Sequence, residues 1–151
     1  MTILIDADAC PVVEIAIACA KAHHVPVLLI CDTAHQMERA GATTITVAKG
    51  ADSVDFSLVN RVVSGDIVIT QDYGLAAMAL ARRAYVLSQN GMQYTDANID
   101  ALLLQRHTAR KLRMAGMRTK GPAKRTATQD EAFTLALNTL LDELLPPTAQ
   151  R

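Results

Sequence analysis

Carboxylates follow two predicted buried strands at the point where each strand ends. Asp6 and Asp8 come directly after the apolar residues 3–5, and Asp72 lies two residues beyond the predicted strand 66–70. Functional sites of open parallel sheets gather at the carboxyl ends of strands, where the strand order reverses. If these strands are neighbours, their carboxylates converge at one edge of the sheet. Asp52 or Asp55 could join them from the start of the helix that lies between the two strands in the sequence.

Such a group of acids predicts a cation, because several carboxylates repel one another unless a positive charge neutralises them. Oxygen ligands favour Mg²⁺ or Mn²⁺, which can supply a nucleophilic water or bridge a phosphate. We therefore predict a metal-dependent phosphodiesterase. Its metal ligands and catalytic acids would be Asp6, Asp8, Asp55 and Asp72, and Thr70 would orient a water or a carboxylate.

The same residues also fit structural roles. Asp72 could cap the helix predicted over 74–83, Asp52 and Asp55 could cap the helix after them, and Thr70 could simply finish its strand. Asp6 is harder to explain in this way, since a carboxylate at the end of a buried strand needs a partner that offsets its desolvation.

Cys10 and His35 are weaker candidates. Cys10 precedes Pro11 at a predicted helix start, where the helix dipole would lower a thiol pKa, but it also fits as a small buried residue. His35 follows a strand and could line the site or lie exposed in a loop. The three cysteines are odd in number and lack zinc-site spacing, which indicates reduced thiols.

A basic segment forms the second candidate surface. Residues 1–100 contain 6 basic and 11 acidic side chains, a net −5, whereas residues 101–151 contain 9 and 4, a net +5. Spacings of four and three place Arg106, Arg110 and Arg113 on one helix face, which suits contact with an RNA backbone. Further contacts would come from Lys111, Arg118 and Lys120. A solvated helix face and a solubilising loop explain the same pattern, and no interleaved aromatics support base-specific binding.

Alternating strands and helices must position these residues. The apolar pattern predicts strands at 3–5, 25–31, 43–48, 66–70 and 84–88, with helices at 11–23, 52–64 and 74–83 between them. This alternation predicts a three-layer α/β fold with a mostly parallel sheet. A basic helix and loop at about 96–127 and a last helix at about 129–145, capped by Thr128 and Glu131, would form a C-terminal helical extension.

Length and composition agree with one domain. The chain has 151 residues, half of them apolar, and only 3% aromatics. We expect a single domain over 1–145 and a flexible tail at 146–151. The longest apolar run has seven residues, too short for a membrane span, and no export signal is evident, so a cytoplasmic protein is expected. The oligomeric state stays open, because the last helix's leucine stripe could pack on the sheet or on a second copy.

Several motifs together resemble the YaiI/YqxD family of uncharacterised bacterial proteins. They are DADACP at 6–11, GDIVITQD at 65–72 followed by Leu75-Ala76, Gly91, Tyr94-Thr95, Ile99, Leu112-Arg113, Gly116 and Gly121-Pro122. The resemblance covers residues 1 to about 145. That family is in turn similar to PIN-like domains, which are metal-dependent ribonucleases with an acidic site.

The PIN-like comparison implies roles for four acids. Asp6 corresponds to the acid after the first strand, and Asp72 to the acid before a later helix. Asp55 is the nearest counterpart of the middle-helix acid, which is usually Glu in PIN nucleases, and Asp8 would serve as the fourth acid. Asn90 stands where family members often have a basic residue.

Two other functions fit the sequence. The first is a non-catalytic PIN-like scaffold that binds RNA or a protein. The second is a phosphatase of the haloacid-dehalogenase type, in which Asp6 and Asp8 would be nucleophile and acid, Thr70 would occupy the second motif and Lys111 would supply the lysine. That type also needs an acidic pair after another strand, and the acids after Lys111 lie on or beside a predicted helix.

Overall fold

The computed structural model describes residues 1–50, 53–117 and 123–147. Strands and helices alternate through most of the chain, and a 3-10 turn at Thr33–His35 follows the second strand. The elements are β1 (Ile3–Asp6), α1 (Val13–Ala22), β2 (Val27–Asp32), β3 (Thr43–Val47), α2 (Ser53–Arg61), β4 (Ile67–Ile69), α3 (Tyr73–Ala81), β5 (Tyr85–Leu87), β6 (Gln93–Tyr94), α4 (Asp96–Met114) and α5 (Ala127–Leu144).

The six strands form one sheet in the order β3-β2-β1-β4-β5-β6. Strands β1 to β5 are parallel, and β6 runs antiparallel to β5. Ile5 pairs with Leu29 of β2 on one side and with Ile69 of β4 on the other. The chain winds outward from β1 to β3 and then crosses to β4 on the opposite side of β1. The strand order therefore reverses between β1 and β4.

Alternating side chains of the strands bury both faces of the sheet. Ile3 and Ile5 point to the face that α1 and α5 cover, whereas Leu4 points to the face covered by α2, α3 and the first turns of α4. Fully buried parallel strands require apolar residues at successive positions, as 3–5 and 67–69 provide. The predicted three-layer α/β fold is confirmed.

Asp66 fixes the amino edge of the two central strands. Its carboxylate accepts hydrogen bonds from the backbone N–H groups of Thr2 at 3.0 Å and Val63 at 2.9 Å, and the residue is 3% exposed. This acid therefore has a structural role at the rim opposite the predicted site, unlike Asp6.

The chain turns at Asn90-Gly91, and strand β6 after this turn was not predicted from the sequence. Two residues are too few to show an alternating pattern. Gly91 has a positive φ of +84°, and a Cβ there would lie 2.6 Å from the carbonyl oxygen of Ala132. Glycine is therefore required where this turn packs on α5.

The last helix begins earlier than predicted. Thr126 accepts a hydrogen bond from the backbone N–H of Gln129, and Gln129 Oε1 accepts one from the N–H of Thr126. The capping residue is thus Thr126, and the predicted pair of Thr128 and Glu131 is wrong, although it has the same spacing. Phe133, Leu137, Leu140 and Leu141 are buried, so this stripe packs on the sheet.

Parts of the expected loop and tail lie outside the described residues, namely 118–122 and 148–151. Within the described ranges, no helix is both long enough and apolar enough to span a bilayer.

His23 ties the end of α1 to α5. Its Nδ1 lies 2.9 Å from the carbonyl oxygen of Cys19 and its Nε2 lies 2.7 Å from Oδ1 of Asp142. Both partners are acceptors, so only the doubly protonated ring donates to both. These hydrogen bonds, first to Cys19 and then to Asp142, raise the pKa of His23 above its ordinary 6.5.

We expect Asp142→Asn to destabilise the fold at about pH 5.5 by up to about 1 kcal/mol, and to have little effect at about pH 9. Because the folded-state pKa of His23 is raised, its stabilising contribution is complete below the unfolded pKa and is lost as pH rises through the folded value. Urea unfolding at both pH values measures the difference. Glu143→Gln, on the same helix, is the control, and equal effects of the two variants would contradict the prediction.

Candidate active site at the carboxyl edge of the sheet

A cavity of about 120 Å³ opens where the strand order reverses, beside the carboxyl ends of β1 and β4. The structure thus brings the chain segments after the two strands together, as the sequence predicts. The residues that line the cavity are Asp6, Asp8, Ala9, Cys10, Ile69, Thr70, Gln71 and Gln89.

Asp6 is the most strongly perturbed acid of this cavity. Burial raises the pKa of its carboxyl to about 6, and the nearby charges of Asp8 and Asp72 act in the same direction. A hydrogen bond from Thr70 Oγ1 to Asp6 Oδ2, 3.0 Å long, opposes this rise. A desolvated carboxylate among other carboxylates is the arrangement that a cation would relieve.

Thr70 connects Asp6 to Asp72. The Thr70 hydroxyl donates to Asp6 and accepts a 3.0 Å hydrogen bond from the backbone N–H of Asp72. One side chain therefore sets the positions of both segments after the strands. The residue is 3% exposed, so water competes little for these bonds.

Asp72 both caps α3 and faces the basic helix α4. Its Oδ1 accepts hydrogen bonds from the N–H groups of Gly74 at 2.8 Å and Leu75 at 3.1 Å, which confirms the capping role. The same oxygen lies 3.4 Å from Nη1 of Arg106. These three contacts all end on Oδ1, so Oδ2 is the oxygen that could coordinate an ion.

Arg106 begins an exposed basic face on α4. Arg110 and Arg113 follow at helical spacing and are exposed, as is Lys111 beside them. The helix packs on α3, the helix that Asp72 caps. The predicted arginine stripe therefore starts at the acidic site. Arg118 and Lys120, the other predicted contacts, lie outside the described residues.

Asp8 lines the cavity and also faces two residues at the carboxyl end of β2 and in the turn after it. Its Oδ1 lies 3.7 Å from Nδ1 of His35, which in turn lies 2.8 Å from Oδ1 of Asp32. Burial, followed by the charge of Asp32, raises the pKa of Asp8. Asp32 was missed in the sequence, although it ends a buried strand in the same way as Asp6.

Asp55 lies in the first turn of α2 and is half-buried. Its helix packs on β1, β2 and β3, the side of the sheet away from β4. This position also suits the predicted structural role, because a carboxylate in the first turn interacts favourably with the positive end of the helix dipole. Asp52 lies outside the described residues.

Cys10 does not have the lowered pKa that its position before Pro11 predicts. The helix begins only at Val13, so Cys10 lies outside its first turn. Burial raises the pKa of the Cys10 thiol, which makes a thiolate nucleophile unfavourable. The interpretation of Cys10 as a largely buried small residue fits better.

Arg125 lies within the predicted basic loop, but its side chain is hydrogen-bonded at one wall of the site instead of being solvated. Its guanidinium donates to Asp130 Oδ1 at 2.7 Å, to Asn90 Oδ1 at 2.8 Å and to the carbonyl oxygen of Gln89 at 2.7 Å. Gln89 lines the cavity, so Arg125 anchors that wall to the start of α5. Asn90, which stands where family members often have a basic residue, accepts a hydrogen bond from this arginine.

Comparison with known protein sequences places the chain in a family. The sequence profile described as "Uncharacterized BCR, YaiI/YqxD family" matches residues 4–143. The chain belongs to the YaiI/YqxD family. The predicted family resemblance is therefore confirmed, whereas the similarity to PIN-like domains stays a prediction.

Family members with the name UPF0178 protein match over nearly their whole length. One from Exiguobacterium sibiricum is 54% identical over 143 residues, which cover 95% of this chain and 98% of that protein. Another, from Ruminiclostridium cellulolyticum, is 54% identical over 137 residues, 91% of this chain and 90% of that protein. A third, from Clostridium acetobutylicum, is 46% identical over 143 residues, 93% and 97% of the two chains. No solved structure is significantly similar to the chain.

We expect Asp6→Asn to stabilise the metal-free protein at about pH 8 by up to about 2 kcal/mol. The folded-state pKa of Asp6 is raised to about 6 from 3.8, so the folded state binds its proton more tightly than the unfolded state. Stability from this group is complete below the unfolded pKa and is lost as pH rises through about 6. The side-chain amide of asparagine stays uncharged at every pH, so the variant does not lose this stability as pH rises.

Urea unfolding in a chelator at about pH 4 and pH 8 tests this expectation. Asp100→Asn, on the exposed side of α4, is the matched control and should change stability little at either pH. Destabilisation by Asp6→Asn at the higher pH would show that the carboxylate is satisfied within the fold.

Proposed function

We propose that the protein is a divalent-metal-dependent phosphodiesterase that cleaves RNA. The observation that supports it best is the continuous series Asp6, Thr70, Asp72 and Arg106, which joins an acidic cavity to an exposed basic helix. An acidic site can hold a cation, and a basic face beside it can hold a polyanion. Metal-dependent cleavage of a phosphodiester in RNA needs a metal site and a phosphate-binding surface next to each other.

The acids of the cavity fit Mg²⁺ or Mn²⁺. Asp6 and Asp8 line the cavity, and Asp72 carries an oxygen outside its capping bonds. Asp55, in the first turn of α2, is the remaining acid of the proposed set. These ligands offer only oxygen atoms, which suit hard cations. A bound ion would act as a Lewis acid and lower the pKa of a coordinated water.

Thr70 and Arg106 position the reacting groups in this proposal. The Thr70 hydroxyl holds the Asp6 carboxylate in one orientation. Arg106 is about half exposed and lies against Asp72, so its guanidinium can turn from that carboxylate to a phosphate. Arg110, Arg113 and Lys111 would hold the following phosphates of the strand, together with Arg118 and Lys120.

We expect the double variant Asp6→Asn/Asp72→Asn to lose metal-dependent RNA cleavage by about 100-fold or more. Asparagine keeps the shape of both side chains and caps helices well, so α3 should still form. Cleavage of a labelled single-stranded RNA in Mg²⁺ or Mn²⁺ measures the loss. Full activity in the double variant would contradict the proposal.

Thermal unfolding distinguishes the proposal from a non-catalytic scaffold. Mg²⁺ that binds the folded state raises the apparent melting temperature, and Asp6→Asn should remove that rise. The control Asp100→Asn should keep it. A scaffold predicts no stabilisation by Mg²⁺ in any variant. Cleavage of phosphate monoesters in place of RNA would instead favour the phosphatase alternative.

The arginine face makes a separate prediction about RNA affinity. We expect Arg110→Gln/Arg113→Gln to weaken binding of every single-stranded sequence similarly, and to lower the slope of log affinity against log salt by about 1.4. Removal of two phosphate contacts reduces the number of counterions released. Fluorescence anisotropy across a salt series measures both effects.

Arg61→Gln, at the end of α2, is the control for charge alone. It should leave the salt slope nearly unchanged. An equal change for this variant would show that net charge, rather than the α4 face, governs RNA binding.

A further inference from the structure

We propose that Asp8, Asp32 and His35 form a binding site for a divalent first-row transition-metal ion at the carboxyl ends of β1 and β2. Asp8 lies in the turn after β1, Asp32 is the last residue of the adjacent strand β2, and His35 lies in the 3-10 turn after β2. One ligand atom from each, two carboxylate oxygens and an imidazole nitrogen, lies within 4.8 Å of the others. Ligands around one such ion at about 2.1 Å would be up to about 4.2 Å apart, so small side-chain shifts suffice.

The contact distances show that the cluster is already assembled. His35 Nδ1 lies 2.8 Å from Asp32 Oδ1 and 3.7 Å from Asp8 Oδ1. Asp32 Oδ1 also accepts a 2.9 Å hydrogen bond from the backbone N–H of Ala34. This bond fixes the acid at the start of the turn that carries the histidine. An ion would take the place of the proton between the imidazole and the carboxylates.

A second observation points to a ligand at this place. Asp8 Oδ1 is shielded from solvent but has no hydrogen-bond partner among the residues that the structure describes. The 3.7 Å separation from His35 is too long for a hydrogen bond. A shielded carboxylate oxygen without a partner is costly, and a metal ion would satisfy it. Asp8 Oδ1 is therefore available to an ion, whereas Oδ1 of Asp32 is already bonded to His35 and to the backbone N–H of Ala34.

The nature of the ligands selects the class of ion. Carboxylates alone would suit Mg²⁺, but an imidazole nitrogen favours Mn²⁺, Fe²⁺, Co²⁺ or Zn²⁺. Three protein ligands leave coordination positions for water or for a phosphate oxygen, as in catalytic metal sites. The positive charge of Lys49 lies near His35 and would oppose a cation weakly. Two carboxylates outweigh this single ammonium group.

The site adjoins the cavity of the proposed phosphodiesterase through Asp8, which lines both. Asp32 and His35 lie outside the ligand set of that proposal. Binding of a transition metal here does not require that the protein cleave RNA. If both proposals hold, the carboxyl edge of the sheet carries two neighbouring ions that share Asp8, an arrangement found in two-metal phosphodiesterases.

Cobalt binding to the intact protein tests the inference. Titration with CoCl₂, followed by visible absorption and by equilibrium dialysis, should show a site whose affinity falls at least tenfold in His35→Gln and in Asp32→Asn. Both side chains lie at the surface or near it, and a melting curve without metal confirms that each variant folds. His107→Gln, an exposed histidine on α4, is the matched control and should bind Co²⁺ as the wild type does.

Two outcomes would overturn the inference. One is the absence of Co²⁺ binding by the folded wild type, and the other is equal affinity in His35→Gln and the wild type. Asp6→Asn separates the two proposals, because it should abolish cleavage and retain the cobalt spectrum that depends on His35. Loss of that spectrum in Asp6→Asn with normal binding in Asp32→Asn would assign the ion to the cavity instead.

Discussion

The desolvation of Asp6 is the constraint on which the site depends. Parallel strands buried on both faces carry apolar side chains almost to their ends, so Asp6, the last residue of β1, lies next to the core. Its carboxylate is held there by one hydroxyl group, that of Thr70, with two other acids close enough to raise its pKa. The fold must therefore hold a charge that its own interactions only partly satisfy, a conflict that is typical of functional sites.

The architecture could be predicted because its signals are local and repeated. The apolar runs at 3–5 and 67–69 have the length of buried strands, and the helices between them require parallel crossovers. The same reasoning brought Asp6, Thr70 and Asp72 together, since the residues after adjacent parallel strands meet at one edge. Helix ends were less certain because Thr126 and Thr128 both fit a capping box, and only the contacts of Gln129 distinguish them.

Other parts of the site could not be predicted because they depend on which strands are neighbours. Asp32 becomes relevant only once β2 lies beside β1, which brings its carboxylate and the imidazole of His35 close to the carboxylate of Asp8. Arg125 looks like one more residue of a basic loop until α5 packs against the turn at Gln89 and Asn90. For Cys10, the sequence predicts a helix start that would lower the thiol pKa, whereas the helix begins only at Val13 and burial raises that pKa.

Arg125 and Arg106 have different roles because they differ in solvent exposure. Arg125 is 20% exposed and makes hydrogen bonds from three nitrogens, so it is committed to the fold. Arg106 is 54% exposed and makes one long contact to Asp72, so little is lost when it turns to another anion. The positive charge beside the acidic cavity is therefore exchangeable, whereas the charge that shapes the cavity wall is fixed. In the proposed function, this difference would give a polyanion access to the acids without requiring the fold to open.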